Sequence, residues 1–178
     1  PVEAPTGYVT LRDERQKRFF YADTDGYVRT SRTINHANIN SASWQFVERT
    51  AGSGQYDIVN RDGKYINPAS VNASVSESTN DWLQTTTTQP AGYWTLAVST
   101  VEEGAYTILS SVDNLTINVM NYDNATYPLC MYGAAENEEA GCQIYAEEVL
   151  TLPVISDNNS STYYTIVSER VDPFDSSV

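Results

Sequence analysis

Very little in this chain lends itself to covalent or metal chemistry. Its 178 residues include one histidine and two cysteines. A Ser/His/Asp hydrolase would have only His36 to draw on, and no Gly-x-Ser-x-Gly string occurs. No His/Cys cluster has zinc spacing, and no glycine-rich loop is built to cradle a phosphate. The residues therefore offer no catalytic constellation, no metal site and no cofactor site. Positive charge is scarce as well: 10 Lys and Arg stand against 23 Asp and Glu, a net charge of −13. Nucleic acid is held by clustered Lys and Arg, so it is not an expected partner, and an anionic membrane surface is disfavoured for the same reason. Apolar runs last only a few residues, too short for membrane insertion. Apolar residues nowhere recur at i, i+3, i+4 and i+7, so no long helix is expected.

What the chain does have is tyrosine, 13 of them, a residue that favours strands. The aromatics are spaced regularly. Tyr8, Tyr56 and Tyr106 open similar segments 48 and 50 residues apart. Trp44 and Trp94 close the first two segments, and Cys142 stands 48 residues beyond Trp94. Self-similarity at a fixed period marks one supersecondary unit copied until it buries a shared core. Each copy starts with an alternating strand such as Tyr56-Asp57-Ile58-Val59, in which Tyr and Ile point to one face. A turn follows (Asn60-Arg61-Asp62-Gly63 in the second copy), then a strand such as Lys64-Tyr65-Ile66-Asn67. A variable polar stretch leads to the closing strand.

Three copies of about four short strands predict an all-β protein, a β-trefoil with six strands in a closed barrel and six in hairpins capping one end. The expected domain covers 1–149, with repeats at about 7–51, 52–102 and 103–149. Residues 150–178 are expected to be a linker and an extra strand, or the start of a following domain. A start at Pro1 is what a piece of a longer, processed chain would give. Trp44, Trp94 and Cys142 are expected in the pseudo-threefold core, with Met120, Met131 or Tyr145 leaning in beside the smaller cysteine. Cys130 and Cys142, 12 apart, read either as a disulfide or as buried thiols.

The string from Trp44 through Tyr56 to Gly63-Lys64-Tyr65-Ile66-Asn67 resembles the ricin B-type lectin repeat. The likeness spans residues 7–149 and is clearest in the second copy. Two departures stand out: Ala42 and Gly92 occupy the family's glutamine position before the tryptophan, and its cysteine pairs are absent. The resemblance implies a shallow sugar site, with a carboxylate after the second strand and an aromatic platform about 15 residues later. Asn67 and Trp82 match that spacing. An exposed Trp82, in Ser78-Thr79-Asn80-Asp81-Trp82-Leu83-Gln84, would stack on the apolar face of a pyranose while Asn67, Asn80, Asp81 and Gln84 took its hydroxyls.

Elsewhere, Tyr21, Asp23, Asp25 and His36 occupy comparable places in the first copy, and Asn118, Tyr122, Tyr127 and Tyr132 could form a patch in the third. Asp23-Thr24-Asp25-Gly26 begins like a calcium loop but lacks the remaining ligands, and reads as a plain turn. The implied function is a non-catalytic carbohydrate-binding module of a larger secreted or cell-surface protein, with glycan as its partner. A protein-interaction or structural trefoil with degenerate sugar sites is the alternative.

Overall fold

A computed structural model describes residues 2–75, 78–120, 127–133 and 138–149, with the backbone alone for 72–75 and 78–80. The first repeat contributes β1 (Val9–Asp13), β2 (Phe19–Ala22), β3 (Val28–Ser31) and β4 (Trp44–Glu48). The second contributes β5 (Tyr56–Asn60), β6 (Tyr65–Ile66), β7 (Val71–Val75), β8 (Ser78–Trp82), β9 (Thr85–Thr86) and β10 (Trp94–Val98). The third has β11 (Tyr106–Ser110), β12 (Leu115–Asn118), β13 (Cys130–Gly133) and β14 (Ile144–Glu148), with a short 3-10 turn at Ala140–Cys142.

Six of these strands close a barrel. The antiparallel pairs β4–β5, β10–β11 and β14–β1 are each in register over five residues. Three single bridges join them into a ring: Val9↔Trp44, Trp94↔Tyr56 and Tyr106↔Ile144. The remaining strands form the hairpins of the cap. At its centre three backbone bonds run in a cycle: Val28 N–H to Leu83 O (3.0 Å), Leu83 N–H to Leu129 O (2.9 Å) and Leu129 N–H to Val28 O (2.8 Å). That cycle fixes the pseudo-threefold axis and makes Tyr27, Trp82 and Pro128 equivalent positions. The fold is thus all-β and a trefoil, as the spacing predicts. It carries two strands more than the twelve expected, because the second repeat inserts the hairpin β7–β8.

The core follows from the alternation. Ile58 and Ile108 are fully buried, Tyr56 nearly so, on the inward face of their strands. Trp44 and Trp94 are fully buried, and each indole N–H donates to a backbone carbonyl of its own repeat, Phe20 O at 2.9 Å and Ile66 O at 3.1 Å. These bonds satisfy the one polar atom of each buried indole. Cys142 takes the third place as a buried free thiol, and so does Cys130.

The neighbours of Cys142 differ from expectation. Asn118 Nδ2 donates to its Sγ at 3.0 Å and the Thr116 hydroxyl lies 3.3 Å from it. Tyr145, instead of leaning in, packs its outer face against the Arg12 guanidinium. A small thiol thus leaves room for two polar side chains from β12 that an indole would have displaced.

The same threefold logic places one turn-capping side chain at the end of each first strand. Asp13 accepts the amides of Gln16 and Arg18, Asn60 accepts those of Asp62 and Lys64, and Ser110 accepts those of Val112 and Asp113. All three are buried. The expected tail, 150–178, lies outside the described residues.

Candidate functional site

The first-repeat turn between β2 and β3 gathers Asp23, Asp25, Tyr27 and Arg29 beside the cap. Asp23 Oδ1 accepts the Thr24 amide at 2.7 Å, and Asp25 Oδ1 accepts the Tyr27 amide at 3.0 Å. These side-chain-to-backbone bonds are why Asp-x-Asp-Gly folds as a tight turn. The second oxygen of each carboxylate meets Arg29, at 3.2 Å for Asp23 and 2.6 Å for Asp25. Arg29 in turn lies over the Tyr27 ring, 5.8 Å from its centroid. The turn therefore is a plain one, as read, with its two carboxylates turned toward a guanidinium.

The electrostatics agree. Partial burial raises the Asp25 carboxyl, but hydrogen bonds from Arg29 and the Tyr27 amide outweigh it and hold it below the ordinary carboxylate range. Burial, and next the Asp23 charge, push the Tyr21 hydroxyl above its ordinary value, so Tyr21 stays a neutral donor. An Asp25 carboxylate held in the ionised form and a neutral phenol suit hydroxyl recognition better than proton transfer.

The second repeat borders this turn. Gln84 forms a β-bridge with Tyr27, and Thr85 N–H donates to Gly26 O at 2.8 Å. Asn67 N–H donates to Gln84 O at 3.0 Å, and the Lys64 ammonium reaches Asp23 O at 3.4 Å. Of the five residues expected as a site, the structure thus brings Asn67 and Gln84 together. The Asn67 side-chain oxygen also accepts the Ala69 amide at 3.1 Å. Asp81 sits on β8 opposite Asn72. The side chain of Asn80 lies outside what the structure describes.

Trp82 requires a correction. It was expected to be exposed, and its relative exposure is 0%. Its ring stacks on Tyr127, with centroids 5.9 Å apart and planes 15° from parallel. Its strand neighbours are Val71 and Cys130. The polar residues around it in sequence belong to a strand whose alternation points the indole inward. A buried indole presents no face to a sugar.

The third-repeat residues do not converge on one patch either. Asn118 is buried against Cys142, and the half-buried Tyr127 stacks on Trp82; Tyr132 is 44% exposed, and Tyr122 lies outside the described residues. Sequence reasoning missed Tyr27 and Arg29. The alternation Tyr27-Val28-Arg29-Thr30, with Val28 inward, was the available signal, but it emerges only once Val28 is set equivalent to Leu83.

No family model matches the chain, and no curated protein matches it. Solved structures do. A designed threefold-symmetric protein, ThreeFoil, shares 18% identity over 80% of this chain and 99% of that one, with a TM-score of 0.63. The ricin B-like lectin of Macrolepiota procera, solved in complex with lactose, shares 10% over 83% of this chain and 100% of that one, at 0.60. An endo-β-galactosidase from Clostridium perfringens shares 16% over 80% of this chain but only 32% of the enzyme, at 0.61. These likenesses show that the chain has the β-trefoil fold.

Proposed function

We propose that the trefoil is a non-catalytic glycan-binding module of a larger secreted or cell-surface protein. The observation that carries this reading is the Asp23–Arg29 turn, where two carboxylates paired with a guanidinium and the half-buried Tyr27 stand together at the surface. Vicinal sugar hydroxyls donate well to fixed carboxylates, and a pyranose C–H face stacks on a phenol ring. Asn67, Asp81 and Gln84 keep their proposed hydrogen-bonding role from the second repeat, with Asn80 beside Asp81 in sequence. Stacking passes from Trp82 to Tyr27, its pseudo-threefold equivalent. A lectin of the same fold solved with lactose, and an endo-β-galactosidase with a region of the same fold, make galactosides the first ligands to try.

Retention on immobilised lactose tests this directly. Tyr27→Ala is expected to abolish retention while leaving the circular dichroism and melting temperature near those of the parent. Trp82→Ala is expected to lower stability by about 3–5 kcal/mol, as removal of a large buried aromatic does. Undiminished retention in a folded Tyr27→Ala variant contradicts the assigned surface. A second reading, an interaction or scaffold module, draws support from Asn67, whose acceptor oxygen already serves the Ala69 amide. A blank glycan array would favour it.

A further inference from the structure

Far from the cap, a groove of about 440 Å3 opens between the segment Glu3–Gly7 and strand β4, reaching Gln45, Phe46, Glu48 and Tyr56. The end of the barrel is identified by topology. Asn60, at the other end of β5, leads into the cap strand β6, whereas Glu48 and Tyr56 flank the β4–β5 loop. Cavities of this size fall within the range that buries a ligand.

The backbone around the groove is underused. Strand β4 pairs with β5 at every position from Trp44 to Glu48, but with β1 only at Val9↔Trp44. Its other edge, from Gln45 to Glu48, has no strand partner among the described residues. The chain before β1 runs along that side without completing the ladder. Among the described residues, Glu3–Gly7 make no backbone–backbone hydrogen bond. The segment is tied down by the Tyr56 hydroxyl, which donates to Val2 O at 3.1 Å, and by Val2 and Ala4 packing on the core. The open edge of β4 and the backbone of the 3–7 segment thus face a common gap.

The charge of the gap has one sign. Glu3 and Glu48 line it, and no Lys or Arg does. Glu48 is fixed as an anion, because the Gly54 and Gly52 amides donate to its two oxygens and hold its carboxyl below the ordinary range. At one wall Phe46 and Tyr56 meet edge to face, with ring centroids 6.2 Å apart.

We propose that this groove is a second binding site, separate from the glycan surface, and that it takes an extended, lysine- or arginine-bearing peptide segment of a partner protein. The peptide would add as a strand to the free edge of β4, with main-chain bonds giving affinity and its basic side chains meeting Glu3 and Glu48. A sugar would leave most of those backbone groups unpaired, which is why a peptide is the fitting occupant.

The test is an amide chemical-shift titration of the full chain with a capped hexapeptide alternating lysine and valine. Saturable shifts are expected at Glu3, Ala4, Thr6 and Gly7, at 45–48 and at Tyr56, with residues 23–29 unmoved. The matching glutamate–valine peptide is expected to bind at least about tenfold more weakly. Glu3→Lys, at an exposed position, should weaken the lysine peptide by a similar factor, and Gln45→Trp, which fills the groove from β4, should abolish the shifts. Absence of shifts at β4 and the 3–7 segment, equal binding of both peptides, or displacement of the peptide by lactose would each overturn the proposal.

Discussion

At the scale of single residues, the same chemical job is done by different side chains in the three repeats, and the differences have measurable consequences. Asp13, Asn60 and Ser110 each cap the turn after the first strand of a repeat. Burial pushes the Asp13 carboxyl above its ordinary value, more than its turn amides and Arg12 pull it down. A carboxyl raised in the folded state binds more protons than the unfolded chain between the two pKa values. Its contribution to stability is therefore fully present below the unfolded value of 3.8 and is lost as pH rises through the folded one. Asn60 shows that an amide oxygen can hold two turn amides at once. Asp13→Asn is expected to fold and to reduce the loss of melting temperature between about pH 4 and pH 7 relative to the parent. An unchanged pH slope would mean that Asp13 does not titrate in this window. Cys142 makes the same point in the core: the thiol is held by Asn118 and Thr116, neighbours that a third tryptophan would have excluded.

At the scale of elements, the repeat spacing made the barrel legible because an aromatic at a fixed place in a strand reports register, and register fixes which face is inward. Tyr56, Ile58, Trp44 and Trp94 all lie where the alternation puts them. Trp82 was misread for the opposite reason. Its sequence neighbours Asn80, Asp81 and Gln84 are polar, but burial is set by Val71, Cys130 and Tyr127, which are distant in sequence or on another strand. The hairpin β7–β8 breaks the twelve-strand pattern, and nothing in the spacing of tyrosines and tryptophans marks it.

The junction of the first and second repeats has a further device that the pattern did not reveal. Arg49, just beyond β4, donates to Asp57 Oδ1 through Nε (3.1 Å) and Nη2 (2.6 Å), and to the carbonyls of Pro90, Ala91 and Gly92. Gln89 Nε2 donates to the other Asp57 oxygen at 2.6 Å. Asp57 is 2% exposed, so these partners take the place of water around its side-chain oxygens. Arg49→Met is expected to cost about 3–5 kcal/mol in denaturant unfolding, and adding Asp57→Asn should recover part of it, because the strand then no longer buries an unpaired charge. Equal stability of Arg49→Met and the parent would show that the pair is not coupled to folding.

At the scale of the whole molecule, threefold symmetry supplies the scaffold and its imperfections supply the proposed sites. The cycle through Val28, Leu83 and Leu129 sets Tyr27, Trp82 and Pro128 in equivalent places, yet only Tyr27 is partly exposed beside charged groups. A polar surface of fixed carboxylates sits at the cap, and an acidic groove with open backbone lies at the far end of the barrel. The central claim is that the cap binds glycan through the first-repeat turn. An amide chemical-shift titration with lactose and with related galactosides tests it most directly. Saturable shifts centred on residues 23–29 and spreading to Asn67 and Gln84 are the predicted result. No shifts at these residues with any glycan that an array shows to be retained would contradict it.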